Sequence, residues 1–192
     1  AGCDGCEIHA YGGYLVDQFL TRKWNKRTDK YGGDLKGRMT FLFEILDSIR
    51  AAVGPDFPII VKVTVDHCMP EDPEMRDLKE GLEMCRLLKE HGNFDAIHVD
   101  RGCYEKYYYQ IPTVYEPKGI NLEACKKVKE IMGEIPVLGH GKLNDPAVAE
   151  QAVAEGAVDI VLMGHQLIAD PDWCNKVRSG DWRSINYCIG CN

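Results

Sequence analysis

Residues 57–65 read FPIIVKVTV, a run of apolar and mostly β-branched residues interrupted by one lysine. A short apolar run of this composition predicts a strand that is buried on both faces, as in a parallel sheet. Patterns typical of amphipathic helices precede and follow it, over residues 35–53 and 73–91. A buried strand between two helices is the repeating unit of an α/β protein.

The same alternation extends along the rest of the chain. Further helices are predicted over 122–132, 145–156 and 170–180. Five strands between helices predict one parallel sheet with helices outside it, closed either as an open doubly wound sheet or as a (β/α)8 barrel. No GxGxxG motif follows the first strand, which disfavours a dinucleotide-binding fold. The other four predicted strands are CEIHA (6–10), FDAIHVD (94–100), IPVLG (135–139) and VDIVLMG (158–164).

Composition excludes several classes of protein. The chain has 192 residues and a net charge of -7, so it lacks the basic footprint that nucleic acid binding needs. No apolar run is long enough to span a membrane. Nine cysteines, scattered and odd in number, fit a reducing compartment better than a disulfide framework, so we expect a cytoplasmic protein. The first residue is not Met, and we expect an internal fragment of a longer polypeptide.

Polar and glycine residues follow the predicted strands, at the edge where both architectures place their active sites. One long loop stands out, because residues 7–35, which run on from the first strand, read EIHAYGGYLVDQFLTRKWNKRTDKYGGDL. Loops of such length are usually functional or disordered, and the aromatic content argues against disorder. From the residues alone, a functional loop and a packed connector stapled by Arg27 and Asp29 are equal alternatives.

Together with the start of the next helix, residues 7–41 resemble the Old Yellow Enzyme family of flavin-dependent ene reductases, most closely the iron–sulfur-containing 2,4-dienoyl-CoA and 2-enoate reductase-like branch. The resemblance continues through residues 56–63, 135–143, 167–173 and 188–192, so it covers essentially the whole chain. The matching positions in the first stretch are His9, Gly13, Tyr14, Leu15, Gln18, Phe19, Leu20, Asn25, Arg27, Asp29, Tyr31, Gly32, Gly33 and Arg38.

The resemblance implies an α/β fold, the C-terminal part (about strands 4–8) of a (β/α)8 TIM barrel, with FMN at the mouth. Residues 1–187 would form the barrel portion, and residues 188–192 would begin an iron–sulfur segment. FAD and NAD(P)H would be bound by other parts of a longer polypeptide. The partner is expected to be a small unsaturated molecule, and a homo-oligomer is compatible with this family.

An ene reductase needs a donor that polarises the substrate carbonyl and an acid that delivers a proton. The resemblance assigns proton donation to Tyr14 and carbonyl polarisation to His9. Many relatives carry a second His or Asn three residues after that histidine, where this chain has Gly12. Lys62 stands in the middle of a buried strand, where an unpaired ammonium group costs free energy. The resemblance implies that Lys62 contacts the flavin ring.

The tyrosine-rich loop after the third strand contains five tyrosines between Tyr104 and Tyr115. Arg101 and Tyr104 are predicted to bind substrate. In the cluster-bearing relatives a histidine stands near position 104 and assists the acid. These departures favour, as an alternative, a larger substrate such as a steroid enone or a bilirubin-type tetrapyrrole.

Two glycine turns follow the fourth and fifth strands, where barrels of this kind bind phosphate. By resemblance, the FMN phosphate would lie against Gly141, Lys142, Gly164 and His165. Relatives usually have arginine at the last of these positions, and a neutral histidine is a weaker phosphate partner.

The chain ends in CIGCN, residues 188–192. One CxxC motif alone is weak evidence and is compatible with redox, zinc or cluster chemistry. By resemblance, Cys188 and Cys191 would be two of the four ligands of a 4Fe-4S cluster.

Two other functions compete with the ene reductase. A flavin-free, non-catalytic barrel is favoured by Gly12 and His165. An aldolase-type barrel would use Lys62 as a Schiff-base amine, but it leaves the long loop and the CxxC motif unexplained.

Overall fold

The computed structural model describes residues 2–191 and contains a parallel sheet of five strands. All five predicted strands are present, although the last four each begin two residues later than the apolar run that predicts them. The strands are β1 Cys6–Ala10, β2 Ile59–Asp66, β3 Ala96–Arg101, β4 Val137–Gly139 and β5 Ile160–Val161.

The strand order decides between the two predicted architectures, an open doubly wound sheet and a (β/α)8 barrel. Neighbouring strands in space are also neighbours in the chain, in the order β1-β2-β3-β4-β5, and every pair is parallel. A doubly wound sheet reverses its strand order at a switch point, whereas a (β/α)8 barrel adds each strand on the same side of the last. The order is therefore that of a barrel.

Helices connect the strands. The helix over Leu35–Val53 has the bounds predicted from the sequence. It begins after Asp34, whose carboxylate accepts a hydrogen bond from the Gly37 N–H. The helices are α1 Leu15–Leu20, α2 Leu35–Val53, α3 Leu78–His91, α4 Tyr107–Gln110, α5 Leu122–Met132, α6 Pro146–Ala154, α7 His165–Ala169 and α8 Trp173–Ser179.

The helix predicted over residues 73–91 is present as α3, but the prediction that it starts at residue 73 is wrong. Helix α3 begins at Leu78, after Asp77 caps it by accepting from the Glu80 N–H. The preceding Arg76 is drawn into the interior instead, where its backbone exchanges two hydrogen bonds with His67. A buried interaction thus replaces the first turn that the sequence predicts.

The two faces of the sheet differ in polarity. On the helix face, Val61, Val63 and Ile97 are fully buried and pack in one core with helix residues such as Leu42 and Leu88. The opposite face, which we call the inner face, carries Glu7, His9, Lys62, Thr64, His98 and Asp100. Because side chains alternate along a strand, one strand supplies both the core and the inner face.

The long connection between β1 and α2 is packed in its second half. The Asn25 amide donates to the carbonyls of Phe19 and Tyr31, at 2.6 and 2.7 Å. Arg38 donates to the Leu20 carbonyl at 2.9 Å. The predicted Arg27–Asp29 contact is also present. The asparagine and arginines of the matching stretch therefore hold the loop in place rather than line a site.

A buried charged cluster joins the start of this connection to β2. The Asp17 carboxylate is fully buried and lies 2.8 Å from Nη1 of Arg76 and 3.0 Å from Nε2 of His67. Arg76 also donates to the Thr64 carbonyl at 2.6 Å and to the Thr21 hydroxyl at 2.9 Å. Burial alone would raise the pKa of Asp17, but Arg76 and His67 outweigh it and lower that pKa to about 2.

We expect Asp17→Asn to lower the free energy of unfolding by about 3–5 kcal/mol, because it leaves Arg76 buried without its counter-charge. The pKa of Asp17 falls from 3.8 to about 2 on folding. Its stabilising contribution is therefore present above about pH 4 and is lost as the pH falls towards about 2. Urea unfolding of both proteins across this range measures the difference.

Glu123→Gln is the matched control, because Glu123 forms an exposed pair with Lys127 at 2.9 Å on α5. Its unfolding midpoint should equal that of the wild type. A difference between wild type and Asp17→Asn that is the same at all pH values would contradict the account of the buried cluster.

Candidate active site

A cavity of about 900 Å³ opens at the carboxyl ends of β3, β4 and β5. Its floor comes from the inner face, its rim from the tyrosine-rich loop, and its far wall from the two glycine turns. This volume is within the range of small-molecule sites. The residues that the following description uses are Tyr11, Lys62, His98, Asp100, Gln110, His140, Gly141, Lys142, Gly164, His165, Gln166 and Cys188.

The floor of the cavity is an ion-pair cluster around Asp100. The Asp100 carboxylate is almost fully buried and lies 3.2 Å from the Lys62 ammonium and 3.0 Å from Nε2 of His140. Burial raises the pKa of Asp100, but His140 and Lys62 together bring it below its usual value. The Lys62 ammonium also lies 3.7 Å from the centroid of the Tyr11 ring. This pairing explains why a lysine is tolerated in the middle of β2.

His98 presents a free ring nitrogen to the same floor. Its Nδ1 lies 2.9 Å from the Glu7 carboxylate, and Nε2 has no partner among residues 2–191. Burial lowers the pKa of His98, although Glu7 opposes the shift. A neutral ring that donates from Nδ1 to Glu7 leaves Nε2 as an acceptor for a ligand N–H group.

Two tyrosine hydroxyls meet close to Tyr11, although neither Tyr14 nor Tyr104 is among the residues that line the cavity. The Tyr14 and Tyr104 oxygens are 2.5 Å apart, and both side chains are partly exposed. The hydrogen bond between the two hydroxyls is the main reason that the pKa of Tyr104 is raised. The His9 ring lies 4.9 Å from the Tyr14 ring and 4.5 Å from the Tyr11 ring. Burial and the charge of Lys62 lower the pKa of His9, so its ring is neutral at physiological pH.

The turn before Tyr14 is fixed by the buried cluster. Gly12 and Gly13 have φ values of +69° and +85°, a backbone conformation that residues other than glycine rarely adopt. The Gly12 N–H donates to the Thr64 hydroxyl at 2.8 Å, and the Gly13 N–H donates to the Asp17 carboxylate at 2.9 Å. The position of Tyr14 therefore depends on groups that are removed from solvent.

The structure brings together the residues predicted to bind the cofactor. Lys62, Gly141, Lys142, Gly164 and His165 all line the cavity. The Lys142 ammonium, however, donates to the backbone carbonyls of residues 113, 114 and 116, so it holds the tyrosine-rich loop against the glycine turn. The His165 side chain is exposed at the rim.

Arg101 lies away from the cavity. Alternation along β3 points Asp100 to the inner face and Arg101 to the other side. The Arg101 guanidinium lies 3.1 Å from the Asp66 carboxylate and 5.2 Å from the Tyr109 ring centroid. The predicted substrate contact of Arg101 thus has no support from the geometry.

The C-terminal segment packs on the cavity wall. The Gln166 amide oxygen accepts from the Cys188 N–H at 2.9 Å, which places Cys188 in the lining. Cys191 is exposed, and Asn192, the last residue of the predicted cluster segment, is outside the described residues, as is Ala1. Across residues 2–191, no three His, Cys, Asp or Glu side chains form a group that could hold a metal ion.

Several lining residues were not among those predicted. His98 lies inside β3, and a count of alternate positions back from Asp100 would have identified it. His140 directly follows β4, at the edge where the sequence predicts the active site, but the sequence assigned it no role. Tyr11 immediately follows β1, where inner-face residues continue into the mouth. Gln110 follows a run of tyrosines and gives no signal in the sequence.

Within the described range 2–191, no helix has the length and apolar character needed to cross a membrane.

Comparisons with known proteins agree with this geometry. The family model of NADH:flavin oxidoreductase / NADH oxidase matches residues 1–182. A metal reductase of Desulforamulus reducens is 41% identical over 192 residues, which are 100% of this chain and 28% of that protein. A cinnamate reductase of Clostridium sporogenes is 33% identical over 203 residues, which cover 100% of this chain and 30% of that protein.

A solved structure shares the fold. 2-Naphthoyl-CoA reductase, in complex with 2-naphthoyl-CoA, superposes with a TM-score of 0.90 at 34% identity, over 100% of this chain and 28% of that one. The likeness confirms an α/β chain of the TIM-barrel oxidoreductase type. The chain spans less than a third of the length of these relatives. With a family model that matches nearly all of it, the chain belongs to the NADH:flavin oxidoreductase / NADH oxidase family.

Proposed function

We propose that the protein carrying this chain is an FMN-dependent reductase of activated C=C bonds, and that its strands are the fourth to eighth of a (β/α)8 barrel. The observation that carries the proposal is the tyrosine hydroxyl pair of Tyr14 and Tyr104 beside a cavity whose floor is Lys62. A relative named cinnamate reductase supports the same reaction class.

The cavity residues fit FMN. The free Nε2 of His98 is an acceptor without a partner among the described residues, and Lys62 supplies a cation for an electron-rich ring edge. At Gly141, with φ of +112°, a Cβ would lie 3.0 Å from a methyl group of Ile120, so only glycine gives the backbone free access there. At Gly164 nothing lies within 4 Å of a Cβ position, which leaves room for a phosphate.

When bound and reduced, FMN would supply a hydride to the β-carbon of the unsaturated substrate. Tyr14 then donates its hydroxyl proton to the α-carbon, and its oxygen is left within hydrogen-bonding distance of the Tyr104 hydroxyl. Donation from Tyr104 stabilises that phenolate until it is reprotonated from solvent. The neutral His9 ring, whose centroid lies 4.9 Å from that of Tyr14, is available to donate to the substrate carbonyl.

The source of the electrons is a further part of this proposal. Cys188 lies in the cavity wall, so a 4Fe-4S cluster bound through Cys188 and Cys191 would be next to the flavin site. The described residues contain one other pair in CxxC spacing, Cys3 and Cys6 at the start of β1. No group of three metal-binding side chains forms within residues 2–191, so a cluster at Cys188 and Cys191 would need two more ligands. FAD and NAD(P)H, bound elsewhere in the full-length protein, would supply electrons to the cluster.

A larger flat substrate is a second candidate. In the tyrosine-rich loop, Tyr104, Tyr107 and Tyr108 are all at least 40% exposed and Tyr115 is 92% exposed, although none of these four is among the residues that line the cavity. Aromatic side chains in such positions stack on flat conjugated ligands. A steroid enone or a linear tetrapyrrole fits this rim as well as a simple enoyl group does. Membership of the family argues against the aldolase-type alternative.

Tyr14→Phe in the full-length protein should lower the rate of C=C reduction by about 10²-fold or more, because the proton donor is lost. Reduction of the flavin by NADH should be unchanged. Stopped-flow absorbance separates these two half-reactions. Tyr31→Phe is the control, because the Tyr31 hydroxyl bonds Glu44 away from the cavity, and it should leave both rates as they are. Equal rates for Tyr14→Phe and wild type in the oxidative half-reaction would refute the role of Tyr14 as acid.

Cys188→Ser and Cys191→Ser should each reduce the iron content of the anaerobically purified full-length protein, because a serine replaces a thiolate ligand. Cys174→Ser, at an exposed cysteine of α8, is the matched control. Iron and sulfide analysis measures the outcome. Full iron content in both CxxC variants would mean that this motif does not bind a cluster.

A further inference from the structure

The space above Gly12 is filled by another side chain. A Cβ built on Gly12 would lie 2.6 Å from Nε2 of Gln110 and 3.6 Å from a ring carbon of Tyr14. The Gln110 amide therefore lies where a side chain at position 12 would begin, and beside the ring of the proposed acid. This is the position at which the chain departs from the pattern it resembles.

The Gln110 amide has an unused donor. Its Nε2 is buried and has no hydrogen-bond partner among residues 2–191, and Gln110 lines the cavity together with Tyr11 and Lys62. Buried polar groups in native proteins are nearly always paired, with protein, water or ligand. A donor without a protein partner in a cavity wall is therefore ready to bind an acceptor on a ligand.

The backbone under Gln110 is held in place. Gly102 has φ of +89°, and its N–H donates to the Asp66 carbonyl at 2.8 Å. A Cβ at Gly102 would lie 2.7 Å from Cβ of Tyr109 and 3.2 Å from the backbone N of Gln110. Helix α4 thus packs directly against the ends of β2 and β3, which fixes the amide relative to the cavity floor.

We propose that the Gln110 amide donates a hydrogen bond to the carbonyl oxygen of the substrate, in place of the donor that Gly12 cannot supply. As hydride adds to the β-carbon, the alkene π electrons shift towards this oxygen. A donor fixed at that oxygen stabilises the developing negative charge. The Tyr14 proton then goes to the α-carbon. The inference rests on the proposed function and adds Gln110 as a catalytic residue.

The test uses the full-length holoenzyme and two simple probes. 2-Cyclohexen-1-one reports turnover, and cyclohexanone reports binding through the infrared stretching band of its carbonyl. Gln110→Met keeps the size of the side chain without its donor. We expect it to lower kcat/KM for the enone by about 10²-fold, to leave flavin reduction by NADH unchanged, and to shift the bound carbonyl band to higher frequency.

A swap of positions gives a sharper test. Gln110→Ala empties the space, and Gly12→Asn in the same protein places an amide there from the opposite side. Asparagine is the residue other than glycine that best tolerates positive φ. We expect the double variant to recover turnover and the low-frequency carbonyl band relative to Gln110→Ala. Gly12→Asn alone should lower turnover, because its side chain collides with the Gln110 amide.

Gln151→Ala is the control, because Gln151 is exposed on α6 and bonds only Glu155 through its side chain. Its rates and spectrum should equal those of the wild type. Unchanged turnover and band position in Gln110→Met would overturn the inference, as would a wild-type protein that binds no carbonyl probe. A wild type that binds cyclohexanone with a band dependent on Gln110, but reduces no enone, would refute the proposed function and retain the donor role.

Discussion

The buried carboxylate of Asp17 is the constraint on which the rest of the site depends. A charge without solvent must be paired, and Arg76 and His67 pair it from the segment that follows β2. Its remaining capacity is used by the N–H of Gly13, one residue before Tyr14. The turn that presents the proposed acid is therefore tied to the sheet by interactions that are costly to break.

The inner face applies the same rule in a more open setting. Lys62 is paired there with Asp100, and the Glu7 carboxylate accepts a hydrogen bond from His98, so the cavity floor is polar without an isolated buried charge. The helix face of the same strands is apolar and packed. This division lets the sheet contribute to stability on one side while it presents ionisable groups to a ligand on the other.

Much of the fold could be predicted because β-branched runs and helix caps act locally. All five strands and the bounds of α2 follow from such signals. Helices α1, α4 and α7 could not be predicted, since each has four to six residues and depends on tertiary contacts. The same limit applies to the site, where alternation separates Asp100 from Arg101, but only packing brings Gln110 to the space above Gly12.

The visible absorbance spectrum of the full-length protein, purified without oxygen, tests the central claim most directly. The account predicts flavin bands, with FMN released on denaturation and lost in Lys62→Met, since Lys62 is the cation at the cavity floor. A colourless protein that does not bind added FMN would contradict the account. That result would favour the alternative of a flavin-free, non-catalytic barrel.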